Sequence, residues 1–504
     1  MGDLAFHESL VAILRHFGDR RLFPEGLYET NLGQPNQLFH AAAWMLSLAL
    51  PTDVACKIVV GATLLGSAVA TGRLAAHRGA TRWSAMLVLP VMLGWMFRWG
   101  LVANMLGFVV WLFALPLLDR LAQAPTPRRA LAATAITFVL YLGHESLMVL
   151  YAVASVVFAI QTRRRLGELA LVACPGATAT ALAVVYAIRS EAHKTPSIRS
   201  VANVTMPLAS KLWSVPGTLF SIEEASLPFL LATGLAAIGL ALRGWGTETA
   251  PAPLLERARE ARFALLAAAA FGLYLWMPTT LGGSTLVHQR FLAPAFAMAV
   301  LALAPLAPKE GATVPRWAPI VALFPVAMLG LNLGAFVEQD RTYRQLDALL
   351  ASMADGSAVA QLDLTPRGPS AVAPVVGAAA RALAVHGGRL LFSFTDAPQS
   401  PVLVKKSAEW NEPILRLVNA PYAFMPAHDL ERFRYALVRL DERRLEPAVV
   451  AAFAPEAHLV TKEGPWLLFE SNLGLVPLTA GDAALPSPPP ETLGERVTRV
   501  LTER

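Results

Sequence analysis

Residues 83–118 read WSAMLVLPVMLGWMFRWGLVANMLGFVVWLFALPLL. One membrane crossing takes about 20 apolar residues to traverse a ~30 Å hydrocarbon core, so this stretch is too long for a single span. It is interrupted at Arg98, which is flanked by Trp95 and Trp99. An arginine at mid-membrane is costly, whereas Trp and Arg together suit a membrane–water interface. The stretch is therefore predicted to be a hairpin of two crossings, 83–97 and 100–118. Residues 130–161 split in the same way at His144-Glu145.

Working outward gives about ten crossings: 53–72, 83–97, 100–118, 130–143, 147–161, 167–188, 226–243, 261–277, 290–306 and 316–337. The composition of the 504 residues agrees, with 55% hydrophobic and 15% charged side chains, against ~25% charged in soluble domains. Mean hydropathy is +0.49. The fold class read from these values is mainly α, a polytopic transmembrane bundle. The net charge of +6 calls for no nucleic-acid partner, because arginines in short loops between spans are what bilayer topology requires. Cys56 and Cys174 both lie in apolar stretches, which argues against a disulfide framework or a zinc site.

Residues 37–50, QLFHAAAWMLSLAL, stop at Pro51 and are expected to lie in the membrane plane. With that segment not crossing, Arg73, Arg78, Arg82, Arg120, Arg128, Arg129 and the run Arg163-Arg164-Arg165 share one side. The positive-inside rule then puts both ends of the chain outside the cytoplasm. The expected organisation is an outer loop with amphipathic and in-plane helices over 1–52 and a membrane domain over 53–337. A small extracytoplasmic α/β domain follows over 338–485, then a proline-rich mobile tail over 486–504. The α/β reading rests on the short apolar runs SAVAQLDL, GRLLFSF, YALVRL and HLVTKEGPWLLFES.

Polar chemistry collects on the outer side. In MGDLAFHESLVAILRHFGD, residues Phe6, Leu10, Ile13, Leu14 and Phe17 form an apolar stripe, expected to dock on the membrane domain. Asp3 and His7 share the edge of that stripe, whereas Glu8, Arg15 and Asp19 face away. Two readings of Asp3 stay open: a functional carboxylate, or a helix N-cap. His144 and Glu145 in YLGHESLMVLY form a functional pair or a plain polar turn. Arg98, and His288 with Arg290 in GGSTLVHQRFLAP, bind an anion or merely anchor the interface. Together these residues could hold a phosphate through arginine and activate a hydroxyl through a carboxylate. Asp3-x-x-x-His7 also has the spacing of half a metal site, which leaves a divalent metal open.

These stretches resemble the GT-C superfamily of integral-membrane glycosyltransferases, which includes protein O-mannosyltransferases and bacterial lipid A aminoarabinose transferases. The resemblance lies in the order DLAFHESL, GLYETNLGQPNQLFHAAAWML, RLAAHRG, RWGLVANMLGFVVWLFALPLL, HQRFLAPAFAMAVLAL and the C-terminal FRYALVRLDE. It implies transfer of a sugar from a polyprenyl-phosphate donor to an extracytoplasmic acceptor, by an enzyme in a bacterial inner membrane. By the same resemblance Asp3 is the general base, and Arg98 or Arg290, with His144 or His288, steadies the donor phosphate. The chain departs from the pattern in two respects. The family loop often carries two neighbouring acids, and a first span precedes that loop. One further span ahead of Met1 is therefore expected. A non-catalytic membrane scaffold and a lipid-linked substrate transporter are the competing readings.

Overall fold

The computed structural model describes residues 3–80, 82–161, 165–192, 203–220, 254–281, 284–303, 318–365, 377–408, 417, 420–479 and 491–502. The expected span 226–243 and residues Arg163 and Arg164 lie outside these. Helix α1 (Leu4–Arg15) and the short helix α2 (Leu38–Ser47) precede the first long one, α3 (Thr52–Arg78). At 10 residues α2 is ~15 Å long, half the depth of a hydrocarbon core.

Two short pieces, α4 (Leu89–Met92) and α5 (Trp95–Trp99), lead to α6 (Val102–Gln123), α7 (Pro127–Gly143), α8 (Glu145–Gln161) and α9 (Leu166–Ala192). Then come α10 (Leu208–Phe220), α11 (Leu254–Trp276), α12 (Leu292–Leu303) and α13 (Ala318–Leu350). Among the described residues four helices are long and apolar enough to cross a membrane, within α3, α6, α9 and α13, and shorter apolar helices pack beside them.

The hairpin read from 83–118 has one regular arm. Its second arm is α6, but the first is broken into a 3-10 segment (Arg82–Leu87), α4 and α5. Pro90 removes a helical donor. At Gly94 a Cβ would sit 2.0 Å from the Leu219 carbonyl oxygen, so α10 packs directly on the backbone there. Three helix ends meet at the face opposite α1. Asp119 at the end of α6 accepts from Arg262 of α11 at 2.9 Å and pairs with His77 of α3 at 2.7 Å. The arginine pattern had assigned these loops to one side.

The C-terminal α/β domain holds β2 (Ala358–Asp363), β3 (Arg389–Leu390), β5 (Tyr435–Arg439), β6 (Ala457–Glu463) and β7 (Trp466–Ser471), in the order β3-β2-β5-β7-β6. β2 runs parallel to β3 and β5, and β7 is antiparallel to β5 and β6. Alternation along β5 sends Tyr435 and Leu437 into one apolar core and Ala436 and Val438 into another. Both sheet faces are thus buried, which explains the continuous apolar runs in these strands. Helices α14 (Ala380–His386) and α15 (Glu446–Phe453) contribute to the two cores respectively.

Three expectations change. The boundary at 338 falls inside α13, whose far end contributes Leu346, Leu349 and Leu350 to the domain core. The expected mobile tail 486–504 contains α16 (Leu493–Thr502), docked through buried Leu493 and Val497 and by Arg496 against Glu456 at 2.7 Å. The stripe of α1 docks on the C-terminal domain: Phe6, Leu10 and Ile13 share a core with Leu383, Val402 and Leu437. Burying each such side chain contributes about 1.5–3 kcal/mol. The strand β1 (Tyr28–Thr30) reinforces this union by pairing antiparallel with β4 (Val402–Val404).

Candidate functional site

Asp3 occupies the N-cap position of α1, yet its side chain accepts no capping hydrogen bond. Its backbone N–H donates instead to the Trp99 carbonyl at 2.8 Å. Gly100 makes this approach possible. Its φ is +79°, and a Cβ there would come within 2.9 Å of the Asp3 nitrogen. Burial raises the Asp3 carboxyl from 3.8 to about 7, against the opposing pull of Arg290. A carboxyl held there titrates where a general base is most effective.

Arg290 comes from the 3-10 turn His288–Phe291 ahead of α12. Its Nη1 lies 3.2 Å from His144 Nε2 and 3.7 Å from Glu145 Oε1, and its Nη2 donates to the Thr285 carbonyl. Its Nε is buried without a hydrogen-bond partner. Around His144, Nε2 faces Arg290 Nη1, while Nδ1 accepts the Ser146 backbone N–H at 3.2 Å and lies 2.9 Å from Ser146 Oγ. Ser146 Oγ accepts from Asn104 Nδ2 of α6 at 3.1 Å. His144 is thus held from both sides, by Ser146 and by Arg290. Glu145 is held by Asn36, which donates to Oε2 at 3.4 Å and accepts the Glu145 N–H at 3.1 Å.

The turn carrying His144 is pressed against α6, because a Cβ at Gly107 would lie 2.9 Å from His144 Cβ. Residues far apart in sequence thus converge on one guanidinium. A carboxyl and a largely covered guanidinium act on each other electrostatically, and polar neighbours orient the guanidinium.

Asp3, His144, Glu145 and Arg290 come together; the other three candidates do not join them. Arg98 donates through Nε to Asn332 Oδ1 at 3.0 Å, tying the broken arm to α13. His7 lies in an aromatic cluster, its Nδ1 2.9 Å from His40 Nε2 and its ring against Phe39 and Phe394. Burial and the His40 ring hold His7 well below its ordinary pKa. Among the described residues no group of three or more His, Cys, Asp or Glu is placed to share a metal. His288 is buried beside Tyr274, with neither ring nitrogen in a hydrogen bond. Glu8, expected to face away, is buried against Arg381 of α14 at 3.4 Å.

Asn36, Asn104 and Ser146 escape a sequence reading as site residues. Only the positive φ of Asn36 (66°) had a weak signal, since asparagine tolerates that region.

No protein-family model and no curated protein matches the chain. Solved structures do. The apo state of ArnT from Cupriavidus metallidurans superposes with a TM-score of 0.53 at 11% identity, over 94% of each chain. The same protein bound to undecaprenyl phosphate gives 0.50 at 12% identity, over 95% of each. The chain shares the ArnT fold. At this identity the likeness concerns the fold alone. Because it extends over nearly the whole chain, the shared architecture includes both the helical bundle and the C-terminal sheet.

Proposed function

We propose that this chain is a GT-C membrane glycosyltransferase that moves a sugar from a polyprenyl-phosphate donor to the hydroxyl of an extracytoplasmic acceptor. The observation that carries the proposal is the Arg290 guanidinium held by His144 and Glu145 within electrostatic reach of the Asp3 carboxyl. ArnT has the same fold and is known with undecaprenyl phosphate bound, which makes a polyprenyl phosphate the natural donor carrier to test here.

In the proposed reaction Asp3 takes the proton of the acceptor hydroxyl as its oxygen attacks the anomeric carbon. The bond from that carbon to the phosphate oxygen breaks, and its electron pair leaves with the polyprenyl phosphate. Arg290 stabilises the charge that grows on this phosphate, and the unpaired Nε and the longer contact to Glu145 leave it donors to give. A single displacement of this kind inverts the anomeric configuration. Burial serves both groups, since the interaction of a cation with an oxyanion strengthens as water is excluded.

The test is transfer in proteoliposomes supplied with a panel of polyprenyl-phosphate sugars. Transfer with inversion, abolished by Asp3→Asn, is the expected result. No transfer from any donor, while the purified protein still binds polyprenyl phosphate, would favour a non-catalytic role.

A further inference from the structure

A second charged concavity, which shares no lining residue with this site, lies where the far end of α13 meets the edge of the sheet. It is a half-open cavity of about 380 Å³ whose lining includes Arg341 and Gln345 of α13, Arg439 at the end of β5, Asp441, Arg443 and Gly464. The volume falls in the ~300–1,000 Å³ range of small-ligand sites. Three guanidiniums face one carboxylate. Among the described residues, Arg341 and Arg443 form no ion pair, and both are exposed. Arg439 stands 3.7 Å from Asp363 and 3.6 Å from Asp441, beyond the ~2.7–2.9 Å of a charge-assisted hydrogen bond. Its Nε is buried and has no hydrogen-bond partner among the described residues, so its two loose carboxylate contacts leave hydrogen-bonding capacity on the guanidinium.

The walls are built to stay open. Gly464, in the turn between β6 and β7, has φ +56°, and a Cβ there would sit 2.3 Å from Gln345 Oε1. Trp466 Nε1 donates to the Thr342 carbonyl, fixing the turn to α13.

Position narrows the class of ligand. α13 is one of the four helices apolar and long enough to cross a membrane. Its last strongly apolar residue before the cavity, Val337, precedes Arg341 by four positions, about 6 Å along the axis. Arg341, and with it the arginine cavity, therefore follows directly on the apolar stretch of α13, as residues of a lipid-headgroup layer would.

We propose that Arg341, Arg439 and Arg443 bind the phosphate of an anionic membrane-lipid headgroup. Arg439 lies under the phosphate, while Arg341 and Arg443 close on it from the rim. This site is independent of the glycosyl-transfer reading and stands or falls separately.

The experiment titrates the full-length protein in detergent with dihexanoyl phosphatidylglycerol, dihexanoyl phosphatidylcholine and inorganic phosphate, reading affinity from the shift in thermal midpoint. Phosphatidylglycerol is expected to bind at least about tenfold more tightly than phosphatidylcholine, and more weakly as salt rises. The double variant R341A/R443A should lose about tenfold or more of that affinity. Both side chains are exposed and unpaired, so the fold tolerates their loss. R20A/R21A, which removes two exposed arginines outside the cavity, should bind as the wild type does. Equal binding of phosphatidylglycerol by wild type and R341A/R443A overturns the site, as does an equal loss in R20A/R21A. Displacement of phosphatidylglycerol by inorganic phosphate at equal concentration overturns the assignment to a lipid.

Discussion

Replacing Asp3 with asparagine separates catalysis from structure unusually well. The asparagine has nearly the same shape, and the backbone bond to Trp99 is untouched. The aspartate side chain caps nothing, so no helix stabilisation is lost with it. A positioned general base contributes about 10²–10⁴ in rate, and transfer should fall by that factor. Stability should move the other way. The carboxyl binds protons more tightly in the folded protein, at about 7 against an ordinary 3.8. Folding is therefore favoured below pH ~4 and loses this contribution as pH rises through 7. At ~1.4 kcal/mol per tenfold change in proton affinity, the penalty at pH 8 reaches at most about 4 kcal/mol. Asp3→Asn removes it, so at pH 8 the variant should melt no lower than the wild type, and higher if the penalty is large. The assays are single-turnover transfer in proteoliposomes and thermal unfolding in detergent, both at pH 8. Polyprenyl-phosphate binding should persist, because a neutral side chain leaves Arg290 free for the phosphate. Activity within tenfold of wild type refutes the base assignment. A parallel loss of activity and thermal stability refutes the claim that Asp3 is not structural.

Three further perturbations probe the surroundings. The acid limb of the wild-type pH–rate profile should have its midpoint near 7, because only ionised Asp3 accepts a proton; Arg290→Gln removes the cation that lowers this value and should move the limb upward. The same variant should weaken the apparent affinity for donor by about 10–100-fold, the cost of losing charged hydrogen bonds. Gly107→Val should cut transfer without touching any polar group, by driving α6 against His144; an unchanged KM and kcat would show that the His144 turn yields freely. Glu8 is raised by burial to about 7 from 4.5, with Arg381 opposing, so it favours folding below pH ~4.5 and loses that contribution as pH rises through 7. Glu8→Gln should flatten the decline of thermal midpoint between pH 5 and 8, and an equally steep decline would refute the burial argument.

The parts legible in the sequence were those governed by a repeating physical constraint. Apolar length marks α3, α6, α9 and α13 because a bilayer fixes how long a span must be. Short apolar runs mark β2, β5 and β7 because a sheet buried on both faces tolerates few polar residues. Composition alone does not reveal partners. Phe6, Leu10 and Ile13 announce a buried stripe, but nothing in their spacing says that the C-terminal domain covers it. Glu8 looks solvent-facing by periodicity, and Arg381, 373 residues away, reverses that reading. Arg98 and Arg290 present the same signal, a cation at a span end; only tertiary contacts send one to Asn332 and the other to His144.

The position of α1 explains why the N-terminal segment and a distant domain belong together. A carboxylate on a loose loop would pick up water and return toward its ordinary pKa, so a base near 7 requires enforced burial. Asp3 stands at one end of a helix whose other contacts are mostly with the C-terminal domain: the Phe6 stripe in its core, Glu8 on Arg381, and Arg381 in turn on Asp347 of α13 at 2.8 Å. The membrane side supplies the Trp99 carbonyl, the space left by Gly100, the His40 and Phe39 rings against His7, and a place for Val11 in the bundle core. The sheet domain thus shares with the bundle the task of holding α1, and the Glu8–Arg381–Asp347 chain is expected to influence how firmly Asp3 is buried. Loosening the Glu8–Arg381 ion pair should lower the acid limb toward the ordinary carboxylate range while leaving Arg290 and its histidine in place.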